Sequence, residues 1–235
     1  MNIALILSGG TGARLGAKIP KQYIKIEGKP IISYCIETLS KHPQIDAMQI
    51  VADKAWYKEI EKWLETADCQ RKFRGFSKPG KNRQLSIYHA LEDIKAYTTD
   101  TDYIFIHDAA RPLLSKRQIS NCLDAAVLCD GVMPVLPMKD TVYHSINGKK
   151  VEALLNRKEI YAGQAPEVFQ YGKYYAANRC LLPDKILTIN GSTEPAILYG
   201  MDIMMIPGEE ANFKITTKED LKRFQKMVEK GADRG

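Results

Sequence analysis

The segment Ser8-Gly9-Gly10-Thr11-Gly12-Ala13-Arg14-Leu15-Gly16 directly follows an apolar run that ends in Leu7, and Pro20-Lys21-Gln22-Tyr23 comes shortly after it. Glycines let a backbone approach a phosphate closely and aim its N–H groups at the oxygens. Two fixed cations, Arg14 and Lys21, beside such a loop suit a triphosphate whose leaving group becomes pyrophosphate. The loop alone is equally compatible with a tight turn carrying solvated cations. The Walker pattern is absent, because no Gly-Lys-Ser/Thr closes the loop. The dinucleotide fingerprint also fails: Gly10-x-Gly12 should lead to a third glycine, and position 15 is Leu. Pro20 lies where a dinucleotide-binding helix would be well under way, and proline does not suit a helix interior.

The elements that must position this loop alternate. Residues 2–7 read as a first strand, and Pro30 opens a helix with Ile31, Ile32, Cys35, Ile36 and Leu39 at helical spacing. A strand over 47–52, a helix over 55–64 and a helix over 84–97 follow. Residues 103–106 form a short apolar strand stopping at His107-Asp108. A capping box, Ser115 with Gln118, starts another helix, and 132–136 is a further strand. Asn147-Gly148 marks a hairpin turn within 138–160. A strand over 201–206 precedes a final helix capped by Thr216 with Glu219 and ending near Lys230. Strands separated by helices predict a single α/β domain with a mainly parallel open sheet and ligands at the carboxyl ends of its strands.

Composition narrows the classes. The chain has 235 residues, 45% apolar and 26% charged, and is long enough for one sizeable core. No stretch reaches the about 18 uninterrupted apolar residues of a membrane-spanning helix. The first residues lack a basic leader and a cleavage site, so a strand is expected there rather than a signal peptide. Five cysteines without CxxC spacing suggest neither a disulfide framework nor a zinc site. Together these features place the expected protein in the cytosol. The net charge of +6 is spread along the chain without a basic run, which argues against nucleic acid as a partner.

Further segments complete a pattern: Gly80-x-x-Arg83-x-x-Ser86, His107-Asp108-Ala109-Ala110-Arg111-Pro112, Lys139-Asp140-Thr141, Asn156-Arg157, Gly163-Gln164-x-Pro166 and Asn212-x-Lys214-Ile215-Thr216. With the glycine loop and Pro20-Lys21-Gln22-Tyr23, their order resembles the cytidylyltransferases that act on methylerythritol 4-phosphate or ribitol 5-phosphate, over residues 1 to about 228. The resemblance implies a Rossmann-like domain with a projecting hairpin arm, and attack by a substrate phosphate on the α-phosphorus of CTP. Positioning and charge stabilisation then supply most of the catalysis.

Several site roles follow from the resemblance. Arg14, Lys21 and Lys214 would be catalytic. Leu7, Ser8, Gly9, Gly10, Thr11, Gly12, Gly80, Arg83, Ser86 and Asp108 would bind CTP, with Asp108 holding Mg²⁺ between phosphate oxygens. Ala109, Arg111, Thr141, Arg157 and Lys214 would bind the acceptor. The arm over 138–160 would exchange with a twofold partner, so that Thr141 and Arg157 complete the neighbouring subunit's site in a homodimer. His107 reads as a strand-end packing residue, because a phosphate monoester near neutral pH needs no general base.

Two departures fall on the acceptor side. The family usually has Gln/Leu-Thr-Pro-Gln where this chain has Gln164-Ala165-Pro166-Glu167, and its Thr-Asp pair has no clean counterpart in residues 190–195. The Gly-Gly-Thr-Gly loop and Tyr161-Ala162-Gly163-Gln164 look more like the ribitol branch. Ribitol 5-phosphate, or a related alditol phosphate destined for a surface glycopolymer, is therefore the expected acceptor. Methylerythritol 4-phosphate, an isoprenoid precursor, is the alternative. An NAD(P)-dependent oxidoreductase and a non-catalytic nucleotide-binding relative remain as rivals of other classes.

Overall fold

The computed structural model describes residues 1–10, 16 and 19–230. Thr11, Gly12 and Arg14 therefore lie outside the described residues.

Strand β1 (Asn2–Leu7) leads through a 3-10 turn, Lys21–Tyr23, into the small hairpin β2 (Lys25–Ile26) and β3 (Lys29–Pro30). There follow α1 (Ile31–Lys41), β4 (Ala47–Val51), α2 (Tyr57–Thr66), β5 (Phe73–Ser77), α3 (Arg83–Ile94), β6 (Tyr103–Asp108), α4 (Lys116–Ala126) and β7 (Gly131–Pro137). An arm carries β8 (Val142–His144) and β9 (Ala153–Leu155). The chain then runs through β10 (Tyr161–Gly163), β11 (Glu167–Gln170), α5 (Tyr171–Arg179), α6 (Glu194–Leu198), β12 (Ile203–Pro207) and α7 (Lys218–Glu229).

Strands β5, β4, β1 and β6 lie side by side and parallel. Strands β10 and β11 are two stretches of one antiparallel run along β7, and β11 also pairs antiparallel with β6. Strand β12 is parallel to β7 on its other edge. All the long strands thus end at one rim, whereas β11 begins there.

Alternation along each strand builds two cores. Ala4, Ile6, Met48, Ile50 and Phe105 face α1, α2 and α4. Ile3, Leu5, Ile104, Ile106 and Phe169 face α3 and α5. Each buried Ile, Leu, Met or Phe side chain among these contributes about 1.5–3 kcal/mol through removal from water. A smaller cluster, Ile31, Tyr34, Ile215 and Phe224, seats α7 against α1. All five cysteines are free, and no helix among the described residues is long and apolar enough to cross a membrane.

Local details differ from expectation for identifiable reasons. Ser115 accepts from Gln118 N–H at 2.9 Å, but the Gln118 side chain is buried toward Cys122 and does not reach back, so only half of the expected box forms. The last helix is framed by Thr217 and Asp220 rather than Thr216 and Glu219, because Asp220 accepts from Thr216 N, Thr216 Oγ1 and Thr217 N, each at 2.8 Å. Asn147-Gly148 is not a tight two-residue connection. The paired strands stop at His144 and restart at Ala153, leaving Gly148 at φ +70° within a longer loop.

Candidate functional site

The rim where β1 and β6 end opens into a cleft of ≈ 510 Å³. Its wall includes Leu7, Gly9 and Gly10 after β1, Lys21 and Gln22 from the 3-10 turn, Gly80 to Arg83 and Ser86 at the start of α3, Asp108 and Ala110 after β6, and Lys214.

The glycine loop is held from beneath. Gln22, almost fully buried, donates from Nε2 to Ser8 O at 2.6 Å and to Gly10 O at 2.8 Å. The Ser8 hydroxyl turns inward and donates to Tyr23 Oη at 2.8 Å, and Tyr23 stacks on Trp56 at 4.0 Å. Burial pushes the Tyr23 phenol up to about 12, so it stays a neutral hydrogen-bonding group. Gly9 has no room for a side chain, since a Cβ would come within 2.7 Å of Pro79 Cβ.

Opposite, Asn82 caps α3 by accepting from Leu85 N–H at 2.8 Å, and its amide donates to Ile186 O at 2.9 Å. Gly80 N–H donates to Ser86 Oγ at 2.9 Å, closing this loop onto the first turn of the helix. A Cβ at Gly80 would meet Leu85 at 2.7 Å.

Asp108 is the centre of charge. Strand alternation puts it on the same face as Ile104 and Ile106, and sends His107 to the other face beside Phe105. Arg83 donates to Asp108 Oδ1 from Nε at 3.3 Å and from an Nη at 3.2 Å. Lys214 donates to Oδ2 at 2.8 Å, and Arg111 Nε lies 3.7 Å from that oxygen. Burial alone would raise the Asp108 carboxyl, but Arg83, Lys214 and Arg111 outweigh it and hold the group well below the usual carboxylate range. His107 is fully buried and its Nε2 pairs with Arg111 O at 2.9 Å; burial pushes it down to about 4, leaving it neutral. It is a packing residue.

A strap over residues 212–217 completes the rim. Arg111 donates to Asn212 O at 2.7 Å, Asn212 Nδ2 donates to Ala165 O at 2.8 Å, and Ile215 N–H donates to Ala110 O at 2.9 Å. The Lys21 ammonium donates to Ile215 O.

Nine expected residues therefore meet in one cleft: Leu7, Gly9, Gly10, Lys21, Gly80, Arg83, Ser86, Asp108 and Lys214. Arg111 stands behind Asp108. Ala109 is buried with its N–H donated to Leu7 O, and Ala110 forms the wall instead. Thr141 and Arg157 sit on the exposed arm, away from the cleft of their own chain, where Arg157 donates to Lys139 O at 2.9 Å.

Sequence reasoning gave no role to Gln22, Tyr23, Asn82, Ser192 or Thr193. The last two donate to the buried Glu167, Thr193 Oγ1 to Oε1 at 3.0 Å and Ser192 Oγ to Oε2. Glu167 Oε2 also lies 3.6 Å from Arg83. The acidic residue at 167 and the hydroxyls at 192–193 were the visible signal, since all fall in the segments that depart from the family pattern.

Among the described residues no group of three or more His, Cys, Asp or Glu could cage a metal. Magnesium is usually held by one or two carboxylates plus substrate phosphates, and Asp108, the one carboxylate among the described residues of the cleft wall, fits that mode.

The model of the family described as IspD, 2-C-methyl-D-erythritol 4-phosphate cytidylyltransferase, matches residues 2–230. A ribitol-5-phosphate cytidylyltransferase of Streptococcus pneumoniae is 31% identical over 234 residues, 98% of this chain and 100% of the relative. A 2-C-methyl-D-erythritol 4-phosphate cytidylyltransferase of Desulforamulus reducens is 28% identical over 228 residues, 97% of this chain and 96% of the relative. The crystal structure of 4-diphosphocytidyl-2C-methyl-D-erythritol synthase from Anaerococcus prevotii superposes with a TM-score of 0.81 at 24% identity, over 97% of this chain and 96% of that one. The fold agrees, and with the family model spanning nearly the whole sequence, the chain belongs to the IspD family of cytidylyltransferases.

Proposed function

We propose that this chain transfers CMP from CTP to D-ribitol 5-phosphate, giving a CDP-alditol and pyrophosphate. The observation that carries the nucleotide half is the convergence of Lys21, Arg83 and Lys214 with Asp108 on one cleft beside the glycine loop. The 31% identity to relatives named ribitol-5-phosphate cytidylyltransferase supports the acceptor. 2-C-Methyl-D-erythritol 4-phosphate is the second reading, favoured by the description of the family model and by the relative at 28% identity.

An acceptor phosphate oxygen bonds to the α-phosphorus of CTP while the bond from that phosphorus to the bridging oxygen of pyrophosphate breaks. The acceptor monoester is largely ionised near neutral pH, so no base is required. Lys21 faces the triphosphate and stabilises charge that builds on it, a role that the family resemblance extends to Arg14. Lys214 and Arg111 orient the acceptor phosphate. Asp108 would hold Mg²⁺, which when bound neutralises phosphate oxygens. Gly80 and Ser86 fix the loop against which the nucleoside rests.

The same reading makes the enzyme a cytosolic homodimer. The arm exposes Tyr143, Ile146, Val151 and Leu154, a surface that a twofold copy would cover while bringing Thr141 and Arg157 to the other chain's acceptor.

Pyrophosphate release from CTP and Mg²⁺ should be measured with ribitol 5-phosphate, methylerythritol 4-phosphate, glucitol 6-phosphate and glycerol 3-phosphate. The highest kcat/KM is expected with ribitol 5-phosphate. A preference for methylerythritol 4-phosphate would select the second reading, and silence with every acceptor would make the chain a non-catalytic relative. Stabilisation by a nicotinamide nucleotide but not by CTP in a thermal-shift titration would overturn the nucleotide assignment.

A further inference from the structure

We propose that Glu167 is a positioning residue: its carboxylate, clamped by Ser192 and Thr193, holds the Arg83 guanidinium at the nucleotide cleft. The inference rests on the reading of that cleft as the CTP site.

Arg83 is the first residue of α3, where the helix dipole disfavours a cation. Two carboxylates on adjacent strands of one sheet face keep it there. Asp108 ends β6, whereas Glu167 begins β11 and pairs in register with Ile106, two residues before Asp108. Because β11 runs antiparallel, its first residue lies at the rim where the parallel strands end. Arg83 bridges the two, 3.2 Å from Asp108 and 3.6 Å from Glu167.

The two carboxylates differ in their other engagements. Asp108 lines the cleft and is shared by Arg83, Lys214 and Arg111. A bound metal ion would compete for it, and the phosphates of a nucleotide would compete for its cations. Glu167 is buried and outside the cleft wall, and Thr193 and Ser192 each donate to one of its oxygens. Its two oxygens are held by hydroxyls that do not line the cleft. It therefore remains the partner of Arg83 when Asp108 turns to a ligand. Stability alone does not reward this arrangement, because a buried ion pair is commonly no better than packed apolar groups of similar volume.

The test is a double-mutant cycle on CTP binding by calorimetry in the presence of Mg²⁺, using the wild type, Glu167→Gln, Arg83→Ala and the double variant. Glutamine preserves the volume and can still meet the two hydroxyls. Removing a negative charge beside the cleft would by itself tighten the binding of an anion. Positioning predicts the opposite, about tenfold weaker CTP binding. In the Arg83→Ala background the same substitution should change affinity less than about twofold. Binding by Glu167→Gln equal to or tighter than the wild type would overturn the proposal, as would an equal loss in both backgrounds. If Glu167→Gln does not fold, Thr193→Val loosens the carboxylate without removing its charge. It should weaken CTP binding about threefold, and unchanged affinity there would count equally against the proposal. A wild type that does not bind CTP refutes the cleft assignment itself. A wild type that binds, with unaffected variants, refutes only the role of Glu167.

Discussion

Lys214 Nζ donates to Asp108 Oδ2 at 2.8 Å although 106 residues separate them in sequence. The contact ties the strap to the end of β6 and puts an ammonium group in the wall of the cleft. Lys21, Arg83 and Lys214 are already paired with the protein, so a ligand finds them oriented and does not have to order these side chains.

Lys21→Ala should lower kcat about a hundredfold or more, as the loss of one transition-state charge contact does. Steady-state pyrophosphate release with a saturating acceptor checks it. Near-normal turnover would remove Lys21 from the chemistry.

Gln22→Leu should act through the glycine loop. The substitution removes the donors to Ser8 O and Gly10 O and should cost about 1–3 kcal/mol in denaturant unfolding. The KM for CTP should rise in parallel, because the loop loses its support. Unchanged stability and KM would show that the loop holds its own shape.

Asp220 gives a pH-dependent prediction. Burial tends to raise its carboxyl, but hydrogen bonds from Thr216 and Thr217 prevail and bring it from 3.8 down to about 2. The ionised group is thus favoured by folding: its contribution is complete above pH 3.8 and is lost as pH falls through about 2. Asp220→Asn should lower stability by about 1 kcal/mol at pH 7, with the gap to the wild type closing near pH 2. Urea melts across that range measure it, and a gap that stays constant with pH would contradict the assignment.

The arm makes a prediction in trans. Arg157→Ala should impair acceptor use while leaving CTP binding nearly unchanged. Mixed with Lys21→Ala under verified subunit exchange, it should regain activity, because one site of each heterodimer inherits neither defect. Sedimentation showing a monomer at assay concentration would end the shared-site idea, and persistent inactivity after exchange would assign Arg157 to its own chain.

The parts of this molecule legible from sequence are those whose signal is local. The run 2–7, the helical spacing after Pro30 and the apolar stretch before His107-Asp108 each carry their own periodicity, and each forms the expected element. Strand β5 was not legible because Phe73-Arg74-Gly75-Phe76-Ser77 lacks alternation, and Gly75 sits at φ +139° where the pairing with β4 shifts. Strands β10 and β11, of three and four residues, owe their existence to β7 and β6 rather than to their own propensity. In the site, Asp108 and Lys214 stood out by motif. The second support of Arg83 did not, because Glu167 and residues 192–193 meet only once β11 is inserted beside β6.

The strap has a consequence for the order in which the molecule is made. Lys21 and its carbonyl partner at Ile215 are separated by 194 residues. At about 5–20 residues per second, a ribosome makes the first roughly 10–40 s before the second. Once β12 is made, ending at Pro207, every strand of the sheet is present while the cleft still lacks Lys214 and the anchor for Arg111. Clipping a finished chain before residue 212 would return it to that condition: every strand kept, with Lys214 and the Asn212 carbonyl that anchors Arg111 removed.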